Sequence, residues 1–174
     1  MAPRLVYHFS EDPRIGRFVP HVPPTNPTQS PAVWAIDAEH MSLYWFPREC
    51  PRVAVWPRTD DERRAFRDAF HTTAPRVHAT ELGWLDRMRT TTIHRYTFDA
   101  TDFEPWPEAS GQWVAARIVE PIEVERLGDL LDLHATAGIE LRFVSSLWPL
   151  IDRAMSGEWD FSIVRKHNAQ PAED

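Results

Sequence analysis

PAVWAIDAEHMSLYWFPRECPRV, Pro31–Val53, carries the pattern on which the fold turns. Val33–Ile36 is a short β-prone run. Asp37 is a good N-cap type for a helix over Ala38–Phe46 that Pro47 ends, and Pro51 introduces a further β-prone run, Arg52–Trp56. On that helix Met41, Tyr44 and Trp45 would share a face, and His40 and Tyr44, four apart, would lie one above the other.

Outward from this stretch the same signals repeat at uneven intervals. Towards the N-terminus, Arg4–Phe9 reads as a first strand with His8 and Ser10 at its end. From Ile15 to Pro31 the prolines fix φ and remove donors, which predicts an extended loop of the length usually kept for a function or a cover.

Towards the C-terminus, Thr59 and Glu62 form a capping-box pattern for a helix to about Phe70. Arg76–Ala79 reads as a strand, Glu81–Arg89 as a short helix and Thr91–Phe98 as the clearest β run; Gln112–Ile118 and Ile122–Leu127 are strands broken around Pro121. A helix capped by Asp129 and closed by Gly138 precedes the strand Ile139–Val144, a last helix starts at Ser145 or Ser146, and Phe161–Val164 adds a final strand. Strands interspersed irregularly with helices of uneven length indicate an α+β class. The expectation is a single domain over 1–167 built on one mixed, mostly antiparallel sheet of about six or seven short strands with four or five helices, and a frayed tail over 168–174.

A chain of 174 residues, 43% hydrophobic, with eight Trp and nine Phe, can bury a core of its own. A net charge of −7 repels a phosphate backbone, and no Lys/Arg cluster reverses it locally, so nucleic acid is not an expected partner. The longest uncharged stretch, Phe18–Ile36, holds five prolines and cannot span a membrane as a helix. Cys50 is the single cysteine, which excludes an internal disulfide and, with no apolar leader at the N-terminus, makes the cytoplasm the expected location. The six glycines are scattered and form no phosphate loop.

Three places offer chemistry. Asp37, Glu39 and His40 are potential ligands for a metal-dependent hydrolase, but HExxH is missing and a capped first helical turn accounts for the acids, so no metal is expected. Cys50 stands between Arg48 and Arg52, which would lower its pKa, yet a buried structural thiol is the plainer reading. His8 and Ser10 rim the end of a strand, where Tyr44, the nearby tryptophans and Gln112 can add flat surfaces and an amide to a small-molecule pocket.

The runs Tyr7–Pro13 (YHFSEDP), Ala32–His40 (AVWAIDAEH), Leu43–Val53 (LYWFPRECPRV), Ile139–Arg142 (IELR) and Phe161–Arg165 (FSIVR) resemble a bacterial family of single-domain proteins known as a domain of unknown function. A fainter likeness, in the Tyr7-His8 pair, the aromatic-bearing segment some thirty residues on, and Gln112, Arg117 and Pro121 before IEVERLGDL, is to the compact, rifampin-modifying type of ADP-ribosyltransferase. That resemblance implies NAD as substrate, with His8 on a ribose beside Ser10, Tyr44 stacking on nicotinamide, and Gln112 in the third catalytic place. Because Gln112 carries no charge, Glu39 or Glu140 would supply the carboxylate facing the positive anomeric carbon. The other open reading is a ligand-binding or interaction module without turnover.

Overall fold

The computed structural model describes residues 4–23 and 27–172. Ten strands and four α-helices stand among them: β1 Leu5–Ser10, β2 Val33–Ile36, β3 Arg52–Trp56, α1 Asp60–Phe70, β4 Val77–Glu81, α2 Leu85–Thr90, β5 Ile93–Asp99, β6 Glu104–Pro105, β7 Gln112–Ala115, β8 Glu123–Leu127, α3 Leu130–Thr136, β9 Glu140–Val144, α4 Trp148–Met155 and β10 Asp160–Val164. The α+β class and the antiparallel bias are as the sequence indicates. The strands form two sheets where one was expected, in the orders β6-β7-β2-β1-β5-β8 and β10-β3-β4-β9, and β4 with β9 is the parallel pair.

The chain divides into two compact units, Met1–Tyr44 with Thr92–Gly128 and Trp45–Thr91 with Asp129–Asp174. Unit 1 holds the six-stranded sheet. Register fixes its faces, because side chains directly opposite one another in an antiparallel pair point the same way and alternate along each strand. Val6 pairs with Phe98, His8 with Tyr96 and Ala35 with Trp113, so these six share one face. On that face Val6, Val33, Ala35, Tyr96, Phe98, Trp113 and Ala115 form the core with Phe18. Phe18 comes from the proline-rich segment and brings that part of it into the core; Phe18 and Val119 exchange backbone hydrogen bonds that hold it there. Pro24 lies outside the described residues.

The segment Ala38–Phe46 departs from its sequence reading. It makes turns and a 3-10 helix at Met41–Tyr44 in place of an α-helix. Two causes act together. Asp37 Oδ1 accepts the His40 backbone N–H at 2.9 Å and the His40 Nδ1–H at 2.8 Å, a local bond that competes with helical pairing. Ser42, Leu43, Trp45 and Phe46 are all buried, a run of burial at neighbouring positions that does not follow the spacing of a single helical stripe.

Unit 2 holds the four-stranded sheet, in which β3 and β4 are buried along their whole length. Its core joins Val53, Val55, Val77 and Ala79 to Phe66 and Phe70 of α1 and to Leu147, Ile151 and Ala154. The hydroxyl half of the capping box forms as read, Thr59 Oγ1 accepting from Glu62 N, while the Glu62 carboxylate accepts the N–H of Arg58, one residue before the cap. Asp129 caps α3 through Asp132 N, and Gly138 follows the helix at φ +68°, where a glycine is favoured.

Candidate functional site

A second set of polar and aromatic groups in unit 1 lies on the face of the sheet opposite its core. Ile36 pairs with Gln112 and Trp34 with Val114, so Trp34, Ile36 and Gln112 point to one side, together with Tyr7 and Phe9 of β1. Tyr44 joins this side: its ring lies parallel to that of Phe9, with centroids 6.2 Å apart. Gln112 Nε2 donates to Tyr44 Oη at 3.0 Å, a bond between residues 68 apart in sequence. Trp34 and Trp106 meet edge to face at 5.3 Å, and Trp106 is placed by its N–H donating to the Gln112 carbonyl.

The Asp37–His40 pair is joined to the same end of the sheet through Gly111. Asp37 N–H donates to the Gly111 carbonyl, one residue before Gln112. Gly111 sits at φ +75° and faces the imidazole; a Cβ there would stand 2.4 Å from His40 Nδ1. A side chain is thus excluded twice, by backbone conformation and by space. The result is an imidazole held in one orientation by a carboxylate, the arrangement in which a histidine can act as an oriented acid or base. Among the described residues, no group of three His, Cys, Asp or Glu side chains could hold a metal ion.

The sequence-predicted residues divide between places. Tyr44 and Gln112 come together. His8 lies on the other face, where it packs edge to face on Phe18 at 4.9 Å and its Nδ1–H donates to the Trp34 carbonyl at 2.9 Å. Ser10 points to the His8 side; its Oγ accepts from Asp12 N–H and turns the chain away from the strand. Glu39 is exposed in the turn after β2. Glu140 belongs to unit 2, where Thr72 Oγ1 donates to one of its carboxylate oxygens and Arg142 Nε to the other, at 2.7 Å.

Cys50 is fully buried. Its S–H points to Thr80 Oγ1, 3.1 Å away, whose own proton goes to the Pro51 carbonyl. Burial outweighs the Thr80 hydrogen bond and the nearby Arg52 and pushes the thiol up to about 11, which keeps it in the proton-bearing form, in line with a structural thiol.

Two further histidine features escape a reading of the sequence. His94 pairs across from Ser10 on the core side of the unit 1 sheet, and its enclosed Nδ1 has no hydrogen-bond partner. In unit 2, His78 and His134 are both fully buried and bonded to each other at 3.1 Å. His134 Nδ1–H donates to the Leu130 carbonyl, so its Nε2 must accept from His78 Nδ1–H; His78 Nε2 is left enclosed without a partner. Burial, reinforced by each other's field and by Arg76 and Arg52, drives His78 well below its ordinary pKa, and burial brings His134 down to about 4.

A model described as a family of unknown function, DUF6886, matches residues 7–169. The chain belongs to DUF6886. The match starts at Tyr7 and runs past β10, so the paired residues Tyr44 and Gln112 and the histidines of both units lie inside the family's span. No curated protein and no solved structure matches this DUF6886 chain. No described helix is long and apolar enough to cross a membrane.

Proposed function

We propose that unit 1 binds a small molecule with a flat ring and an amide, NAD foremost, where Tyr44 and Gln112 meet, in line with the resemblance to ADP-ribosyltransferases. The 3.0 Å bond from Gln112 Nε2 to Tyr44 Oη carries the reading. It uses one amide donor to orient the side chain, and among the described residues the amide oxygen accepts nothing, which suits it to an N–H of a ligand. Phe9, Trp34 and Trp106 offer apolar surface on the same side, as small-molecule sites require.

His8 takes a different part from the one the resemblance implies. Its bond to the Trp34 carbonyl ties β1 to β2 and so fixes the strand that carries Trp34 and Ile36 towards Gln112. Asp37, whose backbone N–H donates to the carbonyl of the residue before Gln112, is a carboxylate tied to this end of the sheet.

A binding module without turnover is the second reading. It is favoured by Gln112 itself, since a neutral amide gives less stabilisation to the positive anomeric carbon than a carboxylate does. Calorimetric titration of NAD into the wild type, Tyr44→Ala and Gln112→Ala separates the cases. Saturable heat in the wild type, weakened at least tenfold in both variants, is expected; no heat in the wild type ends the NAD reading. Release of nicotinamide during the same incubation marks transfer or hydrolysis, and heat without release marks the binding module.

A further inference from the structure

We propose that unit 2 carries a separate binding site for a small primary alkylammonium ion, in the hollow at the C-terminal end of β4, with Glu81 as counter-ion. Glu81 closes β4 with 3% of its surface exposed and lines a hollow of about 530 Å³ together with Leu82, Gly83, Ser145, Ser146, Gln170 and Pro171, and its carboxylate is held at the Gln170 wall of that hollow. A carboxylate has about four lone-pair positions to satisfy. Among the described residues Glu81 is met by one donor alone, the backbone N–H of Gln170, which sits 3.0 Å from each oxygen. It pairs with no Arg, Lys or His among those residues.

A buried carboxylate so poorly supplied is costly, because burial removes its hydration and one N–H does not replace it. Contrast Glu140 in the same unit, whose two oxygens are met by a hydroxyl and a guanidinium. What Glu81 lacks is a cation that brings several donors at once, and an ammonium brings three.

The lining suits such a ligand. Ser145 and Ser146 offer hydroxyls at the rim. Leu82 is 56% exposed and gives an apolar surface for an alkyl body. At Gly83 an added Cβ would meet nothing within 4 Å, so the approach is open there. The Gln170 segment is held in place independently, since Trp148 Nε1 donates to the Gln170 carbonyl at 2.7 Å; the hollow therefore has a fixed wall. Net charge of −7 favours cations over anions at any such opening.

The test uses the full ¹⁵N-labelled chain titrated with n-butylammonium chloride, against tetramethylammonium chloride, which has the same charge and no N–H. Saturable shifts at the amides of Leu82, Gly83, Ser145 and Ser146 are expected with the first salt and not with the second. Glu81→Gln should weaken the affinity at least tenfold. Gln170→Pro removes the one competing donor and should tighten it at least twofold, a result that keeps the idea exposed if Glu81→Gln does not fold. Shifts that fail to saturate, equal responses to both salts, or unchanged affinity in either folded variant would overturn the proposal. The site lies wholly in unit 2, so its failure leaves the reading of Tyr44 and Gln112 as it stands.

Discussion

Gly111 shows how much a single position decides. Its carbonyl receives Asp37, its bare backbone supports the His40 ring, and the next residue reaches Tyr44. Gly111→Ala would need a left-handed backbone that alanine resists and a Cβ inside the imidazole. A loss of about 2 to 4 kcal/mol is expected from strain and overpacking combined. Urea unfolding checks it, and a loss below about 0.5 kcal/mol would mean that the His40 ring moves aside freely. At this scale the sequence was only partly legible. Tyr44 and Gln112 are found from the resemblance, yet their bond depends on the register of β2 with β7, which no local pattern states. Asp37 reads as a cap and does accept the His40 N–H, but its second bond, to the His40 ring, becomes visible only in three dimensions.

Elements were legible where a local signal and burial agree. The helix α1 begins after Thr59 because the Thr59 hydroxyl satisfies the end donor of Glu62 while the Glu62 carboxylate fixes the preceding Arg58, and it stays docked because Phe66 and Phe70 are buried. Thr59→Ala should cost about 1 kcal/mol by losing the cap, measured by thermal unfolding at neutral pH; no change would show that Glu62 alone is enough. The run Thr91–Phe98 reads as a strand, and the strand forms over Ile93–Asp99, with Ile93 and Thr97 on one face and Tyr96 and Phe98 on the other. The misread helix at Ala38–Phe46 has a physical lesson: spacing places apolar residues on a helical face, but the bonds from His40 to the Asp37 carboxylate close a local turn in its place. That misreading also hid the side to which Tyr44 points. The resemblance implies one site for His8 and Tyr44, whereas alternation along β1 puts Phe9, and with it Tyr44, on the face opposite His8.

At the scale of the whole chain, the division of strands between two sheets was the least legible feature. Unit 1 takes its strands from two separated stretches, and so does unit 2, and the pairings of β1 with β5 and β4 with β9 are set by long-range burial. The same scale governs how the protein answers to acid. His78 and His134 are kept neutral in the folded state, His134 with a pKa of about 4 and His78 lowered well below its ordinary value, while in the unfolded chain each titrates near about 6.5. Between those values the unfolded state holds more protons than the folded one, so stability rises with pH through the window. It is complete above about pH 6.5 and falls as the pH drops towards 4, with a slope of up to about 1.4 kcal/mol per pH unit for each histidine. For His134 alone the full loss is about 3 kcal/mol, most of its side chain being out of water. Urea unfolding at steps from pH 7 to 5 should show this decline, in a range above the ordinary titration of most carboxylates. Replacing His134 by Gln removes one titrating group, keeps a side chain able to meet His78, and should flatten the slope by about one proton. A stability that stays level from pH 7 to 5 in the wild type would show that the buried pair is not what acid acts upon.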